Sequence, residues 1–380
     1  MSNKFTKSST AVLMVGHIAG MVDMVALPLW VGTLMQTYKF TPQTAGMAVT
    51  LFLLMVALTS TVLAPLFNRL PRKLIGFVGF AIAAATFYTV SGLPTSGESL
   101  ERSMMVLHAI AGIGIGGGLS MTHGAMGRTD NPHRMFAWAN GLLGVFAVGF
   151  LGSMPKLIEA LGGQVIFVGF AIVMGIAALV LLTAFPVLDG HDPLQPKMSK
   201  PIPKAAWFAI VTVVFLTLNY AMVFSFIERM GAARQFPAQM VGGVLLALGL
   251  VNLLPGPLAG IFERKVSAIT VAILAPVLQA VLALVLFNAQ DFAYYSIAGA
   301  LCVMPVMFGH IFLFGLMSRI DTSGRAAAST PAMVMLGSSI GPILGGVLVQ
   351  QSGYSAIGIA SVVIGMLAVG TAYMTGATKA

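Results

Sequence analysis

Five ionisable side chains stand deep inside long apolar runs of this chain: Asp23, His17, His108, His123 and His310. A charge at the centre of a bilayer costs at least ~2.5–3.5 kcal/mol on insertion scales, so each such group needs a reason to be there. Carboxyl and imidazole groups exchange protons, and histidine titrates in the physiological range. Asp23 is the one acid among eleven that lies well inside a run, which makes it the candidate to exchange a proton or to meet a cation. His108 and His310 are candidates to polarise a site or pass protons, and His17 to touch a ligand. A neutral histidine that bridges two helices is the plainer alternative for each. His123 stands near the end of its run, where a structural or gating role fits better. Gly16, Gly20, Asp23, Leu27 and Trp30 fall on one helical face, which sets Asp23 below an aromatic side chain. Asn219 and Tyr220 offer neutral hydrogen-bonding groups near the middle of the seventh run. The candidate ligand contacts are therefore His17, Asp23, Trp30, His108, Asn219, Tyr220 and His310. Glu228 and Arg229 read as an interfacial pair, and Tyr294 and Tyr295 as members of an interfacial aromatic belt.

The elements that must hold these groups follow from composition. Of 380 residues, 58% are hydrophobic and only 8% charged, with mean hydropathy +0.94. Soluble domains carry about 25% charged residues. A globule so poor in charge could not cover its own surface, which excludes soluble enzymes, nucleic-acid binders and disordered chains. The net charge of +9 does not point to nucleic acid, because Lys and Arg sit in short gaps between apolar runs. With one cysteine, Cys302, no intrachain disulfide can form. The polar stretch 1–10 leads straight into an apolar run and reads as the start of a first span, not a cleaved signal.

A helix needs about 20 apolar residues to cross the hydrocarbon. Such runs predict an all-α integral membrane protein of twelve spans. Their ranges are 11–35, 43–67, 74–93, 103–126, 136–155, 164–186, 206–227, 238–261, 266–287, 292–316, 327–350 and 355–375. Of twenty Lys and Arg, only Lys39, Arg102, Lys156, Arg229 and Arg234 fall on one side, leaving fifteen on the other. The positive-inside rule then places both termini in the cytoplasm, as expected of a protein in a bacterial inner membrane. A proline-rich polar stretch divides the spans six and six. The expected organisation is a bundle over 1–187, a linker over 188–205 and a second bundle over 206–380.

The halves repeat. Ala64-Pro65-Leu66 with Arg72-Lys73 recurs as Gly256-Pro257-Leu258 with Arg264-Lys265. Arg128-x-Asp130-x-x-x-Arg134 recurs as Arg319-x-Asp321-x-x-x-Arg325. Duplicated bundles are a recurrent transporter plan. On these motifs the whole chain resembles the major facilitator superfamily, whose loop after span two reads G-x-L-A-D-R-x-G-R-K. Here the stretch Ala64 to Lys73 keeps the leucine and the basic residues, including Arg69, but has Asn68 at the acidic position. The copy ending at Lys265 has Gly260 there. His108-x-x-x-Gly112 fills the place of an R-x-x-x-G pattern in span four. The G-x-x-x-G-P-x-x-G-G pattern of antiporters stands in span eleven, from Gly337 to Gly346, instead of span five.

The resemblance implies that spans one, four, seven and ten line a central cavity. All five deep ionisable groups lie on those spans, which chance would produce in about one case in 240. It also implies cytoplasmic gate clusters: Arg69, Arg72, Lys73, Arg128, Asp130 and Arg134 in one half, and Arg264, Lys265, Arg319, Asp321 and Arg325 in the other, making contacts between the bundles. Gly112-x-Gly114-x-x-Gly117 spells a dinucleotide fingerprint, yet it lies within an apolar helix and no strand precedes it. No phosphate loop for ATP occurs either.

The expectation is a monomeric secondary transporter without cofactor, driven by the proton gradient and not an enzyme. One deep acid with no deep Lys or Arg favours export of hydrophobic or weakly cationic small molecules. Uptake of a small metabolite or organic acid is the alternative, and a lipid or lysolipid translocase is the reading from another class.

Overall fold

The computed structural model describes residues 7–129, 131–186, 202–321, 326 and 330–378. Among the described residues, twelve helices are long and apolar enough to cross a membrane. In chain order, spans one to six are Ser8–Gln36, Pro42–Leu66, Arg72–Ser91, Leu100–Met126, Arg134–Leu161 and Val165–Ala184. Spans seven to twelve are Lys204–Ala233, Ala238–Phe262, Ala268–Asn288, Phe292–Ile320, Ala332–Ser352 and Ser355–Ala377. Most boundaries fall close to the apolar runs, but spans five and seven continue six residues further, through Lys156 and Glu159 and through Glu228 and Arg229. Hydropathy drops where the hydrocarbon ends, whereas the hydrogen-bond ladder runs on until a residue outside helical φ stops it. Gly162 at φ 89° and Gln235 at φ 59° are those stops.

Spans eight and ten are each two helices in line. Span eight breaks between Val251 and Pro255, and span ten between Leu301 and Met304. Pro255 and Pro305 have no N–H to give the carbonyls of Val251 and Leu301, so each ladder ends four residues before its proline. Pro28 stands inside span one and likewise cannot donate to the carbonyl of Met24, next to Asp23.

The chain divides into two compact units, residues 1–40 with 48–193, and residues 41–47 with 194–380. Most of the linker expected at 188–205 lies outside the described residues. In the first unit, small residues let spans three and four approach closely, for Gly79 faces the backbone of Gly114 and Gly118. The core is aromatic. Trp30 meets Phe52, Phe170 and Phe87 edge-on at 5.0, 5.1 and 5.8 Å, and stacks on His108 at 5.3 Å. Its indole N–H donates to His108 Nε2 at 3.1 Å, and His108 Nδ1 lies 2.8 Å from the carbonyl of Met104.

The second unit is packed differently. Span eleven lies against span seven through Gly337, Gly341 and Gly345. This gives the antiporter-like glycine pattern a packing role here. Polar side chains stitch span seven to spans nine and twelve: Thr212 and Thr371 are 2.8 Å apart, and Asn219 Nδ2 donates to the carbonyl of Ser361 at 3.3 Å. Gln279 Nε2 points at the carbonyl of Leu216, 3.5 Å away. Large apolar side chains such as Leu179 and Met366 are 62% exposed on the outer faces, which suits contact with lipid tails. Tyr294 is exposed as a belt residue would be, but Tyr295 is not one. It is fully buried, and its hydroxyl donates to the carbonyl of Ile227 at 2.9 Å.

A Cβ at Gly341 would lie 2.5 Å from the amide nitrogen of Met222, so Gly341→Leu must separate spans seven and eleven. It should cost about 1–3 kcal/mol. Gly243→Leu meets open space and should cost little. Thermal unfolding of the purified variants would separate the two. Trp30→Phe should leave His108 Nε2 without a donor and lower stability by about 1–3 kcal/mol. The same change at the exposed Trp138 should leave the unfolding midpoint unmoved.

Candidate functional site

Asp23 is 1% exposed, and neither carboxylate oxygen has a hydrogen-bond partner among the described residues. Its position follows from register. Gly20 lies against Leu119 and Trp30 bonds His108, so Asp23 sits level with the glycine-rich stretch Gly112–Gly118 of span four. The face it shares with Gly16, Gly20 and Trp30 is turned into the first bundle. Buried charge needs a counter-charge or several donors. Asp23 has no counter-charge among the described residues, and the donors near it are two backbone amides, its own and that of Met24, so a proton or a cationic ligand would balance it.

The histidines of this bundle divide into two kinds. His108 is fully buried with both ring nitrogens occupied, one by the Met104 carbonyl and the other by Trp30. It is the Nδ1–H tautomer held in an aromatic cage, and it has no lone pair to offer without losing the Trp30 bond. Trp30 itself is 0% exposed and packed among its own bundle's side chains, so it forms part of the core and not a wall for a ligand. His17 is the other kind. Its Nδ1 is 2.9 Å from His123 Nε2, and its own Nε2 is buried without a partner among the described residues. His123, half-buried in the last turn of span four, also meets Phe136 edge-on at 5.3 Å. Sequence reading found both residues but not their pairing, for which 106 residues of separation leave no local signal.

In the second bundle, His310 is 7% exposed, stacks on Phe314 at 5.4 Å and leaves Nε2 buried without a partner among the described residues. Tyr220 is buried and stacks on Phe224 at 5.3 Å. Asn219 is spent largely on span twelve, although its Oδ1 has no partner among the described residues. Gln279 was not anticipated. Its Oε1 is buried and equally unpaired, and a lone amide in mid-span was the available signal. Glu228 and Arg229 approach at 3.9 Å with each side chain 18% exposed, a loose pair.

The basic loops hold contacts inside each unit. Arg128 donates to Asn68, and the Arg72 and Arg128 guanidinium groups lie 4.9 and 5.2 Å from the Phe67 ring centre. Asn68, at the family's acidic position, thus serves as a neutral acceptor. In the second half Arg319 reaches Glu263 at 3.5 Å, so the acid absent at Gly260 is found three residues later. Both side chains are 65% exposed, and such a pair contributes about 0–1 kcal/mol. Asp321 is buried and accepts from the amide of Ala326 at 2.8 Å. Arg69, Lys73, Arg134, Arg264 and Lys265 are exposed, whereas Asp130 and Arg325 lie outside the described residues. Two shallow grooves open nearby. One of about 430 Å³ is lined by Thr10, Ala11, Met14, Val15 and Leu142, and one of about 240 Å³ by Leu70, Arg72, Lys73, Phe185 and Pro186. Neither reaches Asp23. Among the described residues no group of three or more His, Cys, Asp or Glu is arranged to hold a metal ion.

No curated protein sequence matches the chain. Among solved structures, a crystal structure of a mutant of the nucleoside transporter NupG is similar over 97% of this chain and 99% of its own, with TM-score 0.70 and 12% identity. At that identity the likeness concerns the fold. The sequence profile of the Major Facilitator Superfamily matches residues 12–322. With the twelve spans in place, the chain belongs to that superfamily and is an integral membrane transporter, not an enzyme.

Proposed function

We propose that the chain exports hydrophobic or weakly cationic organic compounds in exchange for protons, by alternating access, with Asp23 as the proton-exchanging group. The observation that carries the reading is the buried, unpartnered carboxyl of Asp23. No Lys or Arg lies in the central part of any described span, which disfavours a small anion as cargo. A cationic or neutral apolar compound and a proton compete naturally for one acid in a greasy surrounding. The groove lined by Thr10, Met14 and Leu142 is consistent with apolar cargo.

In the cycle, proton and cargo bind the two access states with unequal affinity, and that inequality is all that coupling requires. Protonation from the outer side removes the charge on Asp23 and releases the cargo. Loss of the proton to the cytoplasm restores the charge and lets the next cargo bind. His310 is a further candidate to contact the ligand, since its buried Nε2, like His17 Nε2 and Asn219 Oδ1, is uncommitted among the described residues. That same nitrogen favours a second reading, uptake of a small metabolite with a hydrogen-bonding or carboxylate group. The fold neighbour's cargo, a nucleoside, belongs to that polar class.

The test is accumulation of a panel of fluorescent hydrophobic cations in cells that express wild type or Asp23→Asn at equal membrane levels. Lower accumulation with wild type alone, abolished by an uncoupler, is the expected result. Equal pH-dependent export by Asp23→Asn would refute the role of the carboxyl. Equal accumulation in all cells would turn the reading to uptake, measured next with radiolabelled nucleosides and organic acids.

A further inference from the structure

We infer that His17 and His123 form a two-ring proton path between Asp23 and the basic, cytoplasmic end of the first bundle. The inference rests on the proton-coupled reading above. It starts from a bond that packing alone does not require: two imidazoles on different spans, nitrogen to nitrogen at 2.9 Å. One ring must donate and the other accept, so the pair always holds one N–H on the line between them.

The two ends of the pair differ in their surroundings. His17 Nε2 is buried with no partner among the described residues, whereas His123 is half-buried in the turn that leads to Gly127 and Arg128. His17 precedes Asp23 by six residues on span one, about 9 Å along the axis. Gly20 lies between them in the chain and bears no side chain, with Leu119 of span four packed against it. The elements packed on the pair bring few competing groups. Beside His17, Gly16 faces Thr122 of span four, whose hydroxyl donates to the Gly118 carbonyl, and Leu181 of span six, while Phe136 of span five meets the His123 ring. Of the basic residues at this end of the bundle, Arg128 is engaged by Asn68 and the Phe67 ring. His108 takes no part, because its two nitrogens are occupied.

The transfer balances without any further reactant. A proton leaving Asp23 through water binds His17 Nε2. The proton on His17 Nδ1 passes to His123 Nε2, and His123 releases the one on its Nδ1 to the cytoplasmic side. One proton has moved, both rings are neutral again, and the bond between them now runs the other way. The starting tautomers return when the two rings part and each exchanges with water, gaining a proton on its bare nitrogen and losing one from the other.

The full-length protein is reconstituted in proteoliposomes, with a fluorescent hydrophobic cation as the probe. The variants are His17→Gln, His123→Gln and the double substitution, because glutamine can keep a hydrogen bond between the spans but cannot relay a proton. Two rates are read as a function of pH and in D2O: export driven by a pH gradient, and exchange of labelled for unlabelled cargo without a gradient. The path predicts that each single variant loses roughly tenfold in driven export while exchange is retained. It also predicts that the double variant is no slower than either single one, and that the pH profile changes shape. Wild-type driven export and pH profile in both single variants would overturn the path. Equal loss of driven export and exchange, in protein with a normal unfolding midpoint, would overturn it in favour of a structural bridge. Asp23→Asn separates the layers: if that variant keeps wild-type driven export, the proton site is wrong, and if it alone is defective, only the path is wrong.

Discussion

In hydrocarbon a polar atom has no water to fall back on, and most of the architecture is a set of answers to that constraint. The answers are local where they can be. Thr86, Thr122, Thr212 and Thr217 each return their hydroxyl proton to the carbonyl one turn earlier on the same helix. Where a side chain is too long or too polar for that, a second helix supplies the partner, as Trp30 does for His108 and the Ser361 carbonyl does for Asn219. The prolines that break spans eight and ten are tolerated for the same reason, since the ladder simply resumes beyond them. Against this background the exceptions stand out. Buried polar atoms left unanswered among the described residues include Asn219 Oδ1, Gln279 Oε1 and the hydroxyls of Thr33, Ser120, Ser338 and Ser361, but Asp23, His17 Nε2 and His310 Nε2 differ from these in belonging to groups that can gain or lose a proton.

Duplication gave both bundles one plan, yet their cores are filled by different means. Phe87, in the aromatic cluster around Trp30, precedes Gln279 by 192 residues, the offset of the repeated loop motif. One bundle thus places an aromatic ring where the other places an amide that reaches toward a neighbouring backbone. The first arrangement gives dispersion and quadrupole contacts that tolerate small shifts. The second gives directional bonds that resist them, and it is reinforced by span eleven lying on span seven through bare glycines. The same divergence shows in the loops, where Arg128 meets neutral Asn68 and Arg319 meets Glu263. Motif positions survived duplication better than the partners they were recruited to bind.

The spans were legible in the sequence because the bilayer imposes one length and one composition on them, and the six-residue extensions of spans five and seven are the measure of what hydropathy omits. Candidate residues were legible for the same reason, as polar letters in apolar text. Their partners were not. Nothing in the spacing tells that His108 is satisfied by Trp30, that His17 meets His123, or that Tyr295 turns inward while Tyr294 faces out. Each outcome depends on helix rotation and on contacts between residues 68 to 106 positions apart. Glu263 shows a related failure, since a motif names the position where an acid is expected and the fold can accept one a turn away.

The distribution of deep ionisable groups has a mechanical consequence. Four of the five lie in the first bundle, on spans one and four, and Asp23 stands beside the carbonyl that Pro28 cannot bond. A helix with a missing rung bends at lower cost than an intact one. A change of charge on Asp23 alters how much hydration the carboxyl demands, and the weakest point of span one is where that demand is met most cheaply. Bending there would carry the two segments of span one differently. The lower segment is tied to span four through His17 and His123, and the upper one through Trp30 and His108. On the proposed reading, two such ties on either side of Pro28 would turn a local change of charge into a relative motion of two helix halves. This is the kind of two-state element through which unequal proton affinity becomes unequal access.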